Sequence, residues 1–500
     1  MTVSAARPDV ILPFSGRVGE VDYRPVRVVP RTCTVADASR YFAASDIDYL
    51  VLHDHRIPIG VVNKLDLLRR NMTRPIEPSA AIAELMTTQV ITVQEDEPVL
   101  ESLLFMIRHQ VDFLLIMRGR EVVGIVGQQD WLSLQTQYPT QLVQKIASAS
   151  SIDALAGLRS EANAVVWRNF ETKGDAVSLT GIVTLLNDAI TRRAISLCVQ
   201  DLVTLGRGEP PAPFAWIGMG SEGRSAQTVT TDQDNGLVYQ DVPDDDRPRV
   251  DAWFGELAQR VVTALEVCGF QRCEGNAMAT NPDLRGTQSH WEKLFERIVT
   301  TSDDKDLFEA CIYFDFRYLF GKQALVGALR AHLTRTIAAH PFFLRHLVET
   351  TVQGTRPPLR QMRWRLYALT GIAPPPFDLK KCGLMPLDSA VRVLALRDGV
   401  EATATLQRLQ HCLENGRISK SLADDVRKAF DFLLRLRFKL EFSAAHDPAG
   451  RSATEKHLVD LRTLPPAQAR YLVDALATVL RLQERVYEQI VGRPIHWSVR

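Results

Sequence analysis

No stretch of the 500-residue chain approaches about 18 consecutive uncharged apolar residues, the length a membrane-spanning helix needs, so no membrane span is expected. Cysteine is scarce and without a pairing pattern. The seven (Cys33, Cys198, Cys268, Cys273, Cys311, Cys382 and Cys412) are scattered, none forms a CxxC pair, and Cys268 and Cys273 lack a second pair to complete a zinc site. An odd count without a framework excludes a disulfide-stapled scaffold and fits a reducing compartment. The opening MTVSAARPDVILPF places Arg7, Pro8 and Asp9 where a secretory signal would need an apolar core, so the expected location is the cytoplasm. Neither sign of charge dominates. With 59 basic and 59 acidic residues there is no global field for nucleic acid or an anionic membrane, which argues against a template-copying polymerase. Neither GxSxG nor HExxH occurs, which removes the nucleophile-elbow and zincin readings.

What is present fits a globular protein, 46% apolar and 24% charged. The length predicts about three domains. The first region repeats itself. One copy runs from Val26 to Arg70 and closes on IPIGVVNKLDLL; the other runs from Ile82 to Leu134 and closes on EVVGIVGQQDWL. Each copy reads as a short strand, an amphipathic helix (Ala36 to Ala44; Val99 to His109) and a strand pair. In the second, DFLLIM and EVVGIV flank the turn Arg118-Gly119-Arg120. The matched intervals Gly60/Asp66 and Gly124/Asp130 make duplication the economical explanation. This region resembles a tandem pair of CBS domains. That resemblance implies an adenine nucleotide as ligand, with Asp66 and Asp130 as its ribose contacts. Asn63 and Gly127 stand where the family usually carries a hydroxyl, and a purely structural dimerisation module is the competing reading.

From about Thr140 to Leu205 the pattern turns helical, with Ile182, Leu186, Ile190, Ala194 and Leu197 on one face, and reads as a linker bundle. The segment GRGEPPAP breaks it. Beyond about Gly321 the chain is mostly helix. Leu422, Val426, Phe430, Leu433, Leu436 and Leu440 form one apolar stripe, and Leu472, Leu476, Val479, Val486 and Ile490 form another.

The chemistry lies between, in FAWIGMGSEGRSAQTVTTDQDNGLVY. A β-run ends on Gly220-Ser221, ten residues follow, and Asp232 and Asp234 precede a second β-run. Aspartates at i and i+2 of a strand point to one face about 7 Å apart, which suits hard divalent cations. A Gly-Ser turn lets backbone N–H groups and a hydroxyl approach phosphate. Gly218, Gly220 and Gly223 also spell GxGxxG, but the aspartate pair accounts for them better. DVPDDDR at 241–247 is richer in acid yet reads as a solvated loop.

This arrangement resembles the Gly-Ser…Asp-x-Asp signature of the DNA polymerase β-type nucleotidyltransferase superfamily. GSEGR…TTDQDNG is closer to the CBS-linked signal-transduction nucleotidyltransferases related to the PII-protein uridylyltransferase. CEGNAMATNP (273–282), YFDFRYLFG (313–321) and DLKKCGLMPLDSAVRVLAL (378–396) extend the likeness over residues 20–495. The chain departs from the family at Ala226 and Glu274, where Glu and Pro are usual. The resemblance implies an α+β protein: tandem CBS domains (20–137), a helical linker (138–206), a small mixed-sheet nucleotidyltransferase domain (207–335) and a C-terminal helical domain (336–500).

It further implies Mg2+ (two ions, with Mn2+ as substitute) on Asp232, Asp234 and Asp315. Gly220, Ser221, Arg224, Asn235 and Arg317 would surround the nucleotide, and Asn281 would line the site. The substrate would be an NTP, the acceptor a protein side chain or a small molecule, and the assembly a homodimer; neither nucleic acid nor membrane is an expected partner. Two residues carry a second reading: Asp315 as a buried structural acid paired with Arg317, and Arg224 as a partner of Glu222. A non-catalytic nucleotide sensor is the rival function.

Overall fold

The computed structural model describes residues 17–20, 23–44, 47–55, 57–73, 76–88, 90–99, 101–102, 105–106, 111, 113–127, 137–171, 175–301, 303–354, 357, 375–445 and 457–495. Helix and mixed sheet combine in two compact units, Met1–Thr140 and Gln141–Arg500.

The duplication in the first unit extends to details of register. β1 (Val26–Pro30) runs parallel to β2 (Tyr49–Asp54), which turns back on β3 (Ile57–Asn63). β4 (Thr92–Gln94), β5 (Phe113–Arg118) and β6 (Glu121–Gly127) repeat that topology. Each hairpin carries an irregularity at the same place, after the pairs Leu52↔Gly60 and Ile116↔Gly124. Both glycines accept a close approach: Met86 lies over Gly60 and Tyr23 over Gly124. Each covering residue belongs to the segment leading into the other repeat. The bridges Val61↔Thr87 and Arg24↔Ile125 interlock the copies in the same way. Val51, Val61, Leu115 and Ile125 form the core they share. The first expected helix is Val35–Ala44; much of the second, and Asp130, lie outside the described residues.

In the second unit, the main sheet has four strands. β7 (Phe214–Gly218) and β9 (Asn235–Tyr239) are central, antiparallel, and buried at every position. Two-residue β8 (Asp232–Gln233) and β10 (Gln271–Arg272) pair at the sheet's margin. β11 (Arg285–Thr287) lies parallel to β9, and β12 (Arg317–Gly321) lies antiparallel to β7. Strands buried on both faces need covering on both, which explains their unbroken apolar character. Phe254 of the helix Arg247–Val267 stacks on Tyr239, with ring centroids 4.6 Å apart. Trp291 of the helix Gln288–Thr301 donates its indole N–H to the Leu237 carbonyl at 3.0 Å.

The helix Ala176–Thr204 corrects the reading of its segment as a mere linker. It is buried around most of its circumference, and its polar residues Thr184, Asn187, Asp188 and Thr191 are buried with the apolar ones. Polar groups that leave water need partners, and Asn187 and Asp188 find them on Gln227 and on Arg317 of the four-stranded sheet. The remaining helices include Met385–Arg397, Thr405–Glu414, Lys420–Ala445 and Pro466–Val491. Val426, Phe430, Leu433 and Leu436 of one expected stripe are buried, as are Leu472, Leu476, Val479 and Val486 of the other. β13 (Phe377–Asp378) and β14 (Leu458–Val459) join antiparallel ahead of a π-helical turn at Lys380–Leu384. Among the described residues no helix is long and apolar enough to cross a membrane.

Candidate active site

β7 leads straight into a single helical turn, Gly220–Gly223, whose start has no side-chain cap. Its first amides therefore have no acceptor within the turn. The turn is locked to the aspartate strand by the main chain, Met219 N donating to Asp234 O at 2.8 Å. Gly220 has φ +55, and a Cβ there would lie 2.5 Å from Asp234 Oδ2. Only glycine allows both the left-handed backbone and that carboxylate. The two halves of the signature, separated by ten residues in sequence, are thus in van der Waals contact. Ser221 is half-exposed beside them.

Burial alternates along the aspartate strand as the spacing predicts. Asp232 and Asp234 are half-buried, while Gln233 and Asn235 between and after them are buried. Gln233 donates to the carbonyls of Val262 and Phe270, both at 3.1 Å, and so fixes the strand from behind. Burial pushes the Asp234 carboxyl above the usual carboxylate range and Asp232 pushes it the same way, while the Cys273 thiol hydrogen bond and the Lys380 ammonium oppose the rise. Burial, then the Asp234 charge, pushes the Cys273 thiol up to about 11, so it stays a neutral donor.

The connecting loop is held by buried polar side chains from distant helices. Glu441 accepts from the Thr228 hydroxyl at 2.7 Å and from Thr230 N at 3.1 Å, and Arg437 holds Glu441 at 2.8 Å. Asn187 donates to Gln227 at 3.1 Å, and Arg159 bonds both Asn187 and the Val229 carbonyl.

Five expected site residues have partners within the protein. Asp315 precedes β12 rather than lying on a strand, and is fully buried. Its Oδ2 accepts from Arg224 at 2.8 Å and from Arg392 at 2.9 and 2.7 Å, and Arg408 stands 2.6 Å from Oδ1. Burial alone would push this carboxyl up; the guanidiniums of Arg392, Arg408 and Arg224 overcome it and hold it well below the usual range. Both oxygens thus face arginines, Oδ2 through three hydrogen bonds and Oδ1 through an ion pair without hydrogen-bond geometry. These are the surroundings the second reading calls for, with arginines other than Arg317 as partners.

Arg224 spans Asp315 and Asp388, the latter at 3.3 Å, and among the described residues no ion pair joins it to Glu222. Arg317 forks onto Asp188 at 2.7 and 2.6 Å and donates to the Glu222 carbonyl. Asn235, buried, takes the Ala279 N–H on its side chain and gives its own N–H to Ala277, holding the 273–282 loop. Asn281 caps the turn Pro282–Leu284 through Asp283 N. Gly223 lies so close to the Asp315 carbonyl that a Cβ would overlap it, which ties the Gly-Ser turn to the arginine cluster. The acidic 241–247 loop is exposed at each aspartate, as expected.

Sequence reading missed Asp188, Asp388, Arg392, Arg408, Glu441 and Lys380. The last five lie in the helical C-terminal region, and Asp188 lies on the side of its helix opposite the apolar face of Ile182, Leu186 and Ile190, where pattern gives no sign of a buried ion pair. Lys380 places its ammonium 4.0 Å from Asp232 Oδ2.

Asp232 and Asp234 suit a divalent cation. Magnesium is commonly held by one or two carboxylates with substrate phosphates completing the shell. Among the described residues no group of three or more His, Cys, Asp or Glu side chains is arranged to hold an ion, so phosphate would supply the missing ligands.

Family models match along most of the chain. "Putative nucleotidyltransferase DUF294" matches residues 160–305, and "Putative nucleotidyltransferase substrate binding domain" matches 341–490. The CBS domain model matches twice, at 18–72 and 82–136. The chain belongs to the CBS-linked DUF294 nucleotidyltransferases. The family segment at 160–305 starts inside the presumed linker, in keeping with the burial of the helix Ala176–Thr204.

A curated relative, the uncharacterized protein MJ1232 of Methanocaldococcus jannaschii, is 26% identical over 121 residues, 24% of this chain. The match spans 39% of that relative's length. Two solved structures are similar over about a quarter of the chain. The CBS domain protein PAE2072 of Pyrobaculum aerophilum, complexed with AMP, is 24% identical, with 24% of this chain and 98% of that one covered and a TM-score of 0.21. An uncharacterized conserved protein of Pyrococcus horikoshii is 23% identical, with 25% and 95% covered and a TM-score of 0.22.

Proposed function

We propose that this nucleotidyltransferase-family chain moves a nucleoside monophosphate from an NTP to an acceptor hydroxyl. The bond formed joins the acceptor oxygen to the α-phosphorus; the bonds broken are the acceptor O–H, whose proton passes to solvent, and the bond from that phosphorus to the bridging oxygen, and pyrophosphate leaves. The observation that carries this reading is the contact of Asp234 with Gly220, which places the acidic pair on the Gly-Ser turn. Asp232 and Asp234 would hold magnesium, or manganese in its place. Such an ion, when bound, neutralises phosphate charge and orients the reacting oxygens. The Gly220 and Ser221 amides and the Ser221 hydroxyl are the groups to bind phosphate. Asp315, Arg224 and Arg392 keep the turn in position through Gly223.

By family resemblance the acceptor is a protein side chain such as tyrosine, in a signal-transduction setting. The CBS pair would act as regulator, through an adenine nucleotide, and as the seat of a homodimer. Incubating the full chain with each α-labelled NTP, magnesium and host lysate tests the proposal: label entering a protein supports it, and label entering a small molecule redirects the acceptor. One observation favours a second reading, a nucleotide sensor without transfer. Asp315 is committed to arginine, which leaves two carboxylates at the site. Nucleotide binding without pyrophosphate release would select that reading.

A further inference from the structure

The basic side chain that the helical C-terminal region extends to the aspartate pair is Lys380. Its base is rigid. Leu379 is fully buried and its N–H donates to the His457 carbonyl at 2.9 Å, next to the β13–β14 pair. Asp378 Oδ1 accepts Lys381 N at 2.9 Å. Gly383, in the same π-helical turn, fits against Leu433 and Leu476. Such turns recur where a helix is widened to place a functional side chain.

From this anchor the lysine stem reaches out to a half-exposed ammonium, 4.0 Å from Asp232 and beyond hydrogen-bond length. It lies within electrostatic range of Asp234, Arg224 and Arg437 as well. Those arginines are already engaged, Arg224 by Asp315 and Asp388 and Arg437 by Glu441. A structural salt bridge would close to contact distance; this pair does not. An ammonium on a flexible stem is a point charge that can exchange partners, which a fixed guanidinium fork does less readily.

We propose that Lys380 is a triphosphate-binding residue supplied by the C-terminal region. Without ligand it balances the Asp232/Asp234 charge. With a cation held by those carboxylates, the ammonium would be repelled from them and would pair with the β- and γ-phosphate oxygens. This rests on the nucleotidyl-transfer reading and identifies the residue that recognises the leaving group.

The test is calorimetry on the full chain with two probes, Mg2+ alone and inorganic tripolyphosphate at saturating Mg2+. Lys380→Met should bind tripolyphosphate roughly tenfold or more weakly, the loss expected of one charge-assisted contact. It should bind Mg2+ alone no worse than wild type, since a competing cation is gone. Lys380→Arg, which keeps the charge, should recover most of the tripolyphosphate affinity. Wild-type tripolyphosphate affinity in Lys380→Met would overturn this proposal and leave nucleotidyl transfer standing. Failure of the wild-type chain to bind magnesium tripolyphosphate at all would overturn both.

Discussion

Arg408 Nη1 lies 2.6 Å from Asp315 Oδ1 with both side chains wholly shielded from water. Arg392 and Arg224 complete the cluster, and Asp388 is its second acid. Breaking a buried ion cluster from one side costs about 3–5 kcal/mol, because the remaining charges stay buried without compensation. Asp315→Asn should therefore lose about that much stability in urea unfolding without metal or nucleotide. A metal ligand would behave oppositely, its loss leaving the ligand-free protein neutral or more stable. The folded-state pKa of Asp315 is depressed, so its contribution is full above the unfolded value of about 3.9 and fades as pH falls below it.

Glu222, in the Gly-Ser turn, shows the opposite linkage. Burial, partly offset by Arg317, pushes its carboxyl up to about 8. Between the unfolded value of about 4.3 and that pKa the native state holds a proton the unfolded state has lost, so stability falls as pH rises through this window. Glu222→Gln should remove that part of the slope and be more stable than wild type near pH 8. Equal slopes for the two proteins in melts from pH 5 to 8 would contradict the assignment.

The CBS pair should bind AMP weakly. Asn63, in the place of the usual hydroxyl, already accepts Leu65 N at 2.8 Å to start the helix Lys64–Thr73, and Gly127 offers no side chain. Calorimetry with AMP on the full chain should give no sub-micromolar binding; tight binding would show that another group replaces the hydroxyl.

Local periodicity made much of this legible. The CBS repeat could be read because each copy carries the same strand, turn and glycine intervals, and the structure reproduces even the irregularity beside Gly60 and Gly124. The aspartate pair could be read because two carboxylates at i and i+2 of a β-run share a face whatever surrounds them. Asp315 could not be assigned from its neighbours, since Arg392 lies 77 residues further along the chain. The same holds for Arg317, whose partner Asp188 lies 129 residues earlier, on the side of a helix away from its apolar face. Pattern shows which face of an element is buried, and it leaves open which distant charge awaits a buried one.

The central claim is that Asp232 and Asp234 form the catalytic acidic pair, and the most direct measurement is pyrophosphate release from NTP with magnesium and acceptor lysate. Asp232→Asn and Asp234→Asn are nearly isosteric and should each abolish release, since losing one transition-state charge contact costs about 3–4 kcal/mol and losing a cation costs more. Their folds should persist, with ligand-free melting unchanged or raised because repulsion between the carboxylates is relieved. Asp245→Asn, in the exposed acidic loop, should match wild type. Undiminished release by Asp232→Asn and Asp234→Asn, or its loss in Asp245→Asn alone, would contradict the account.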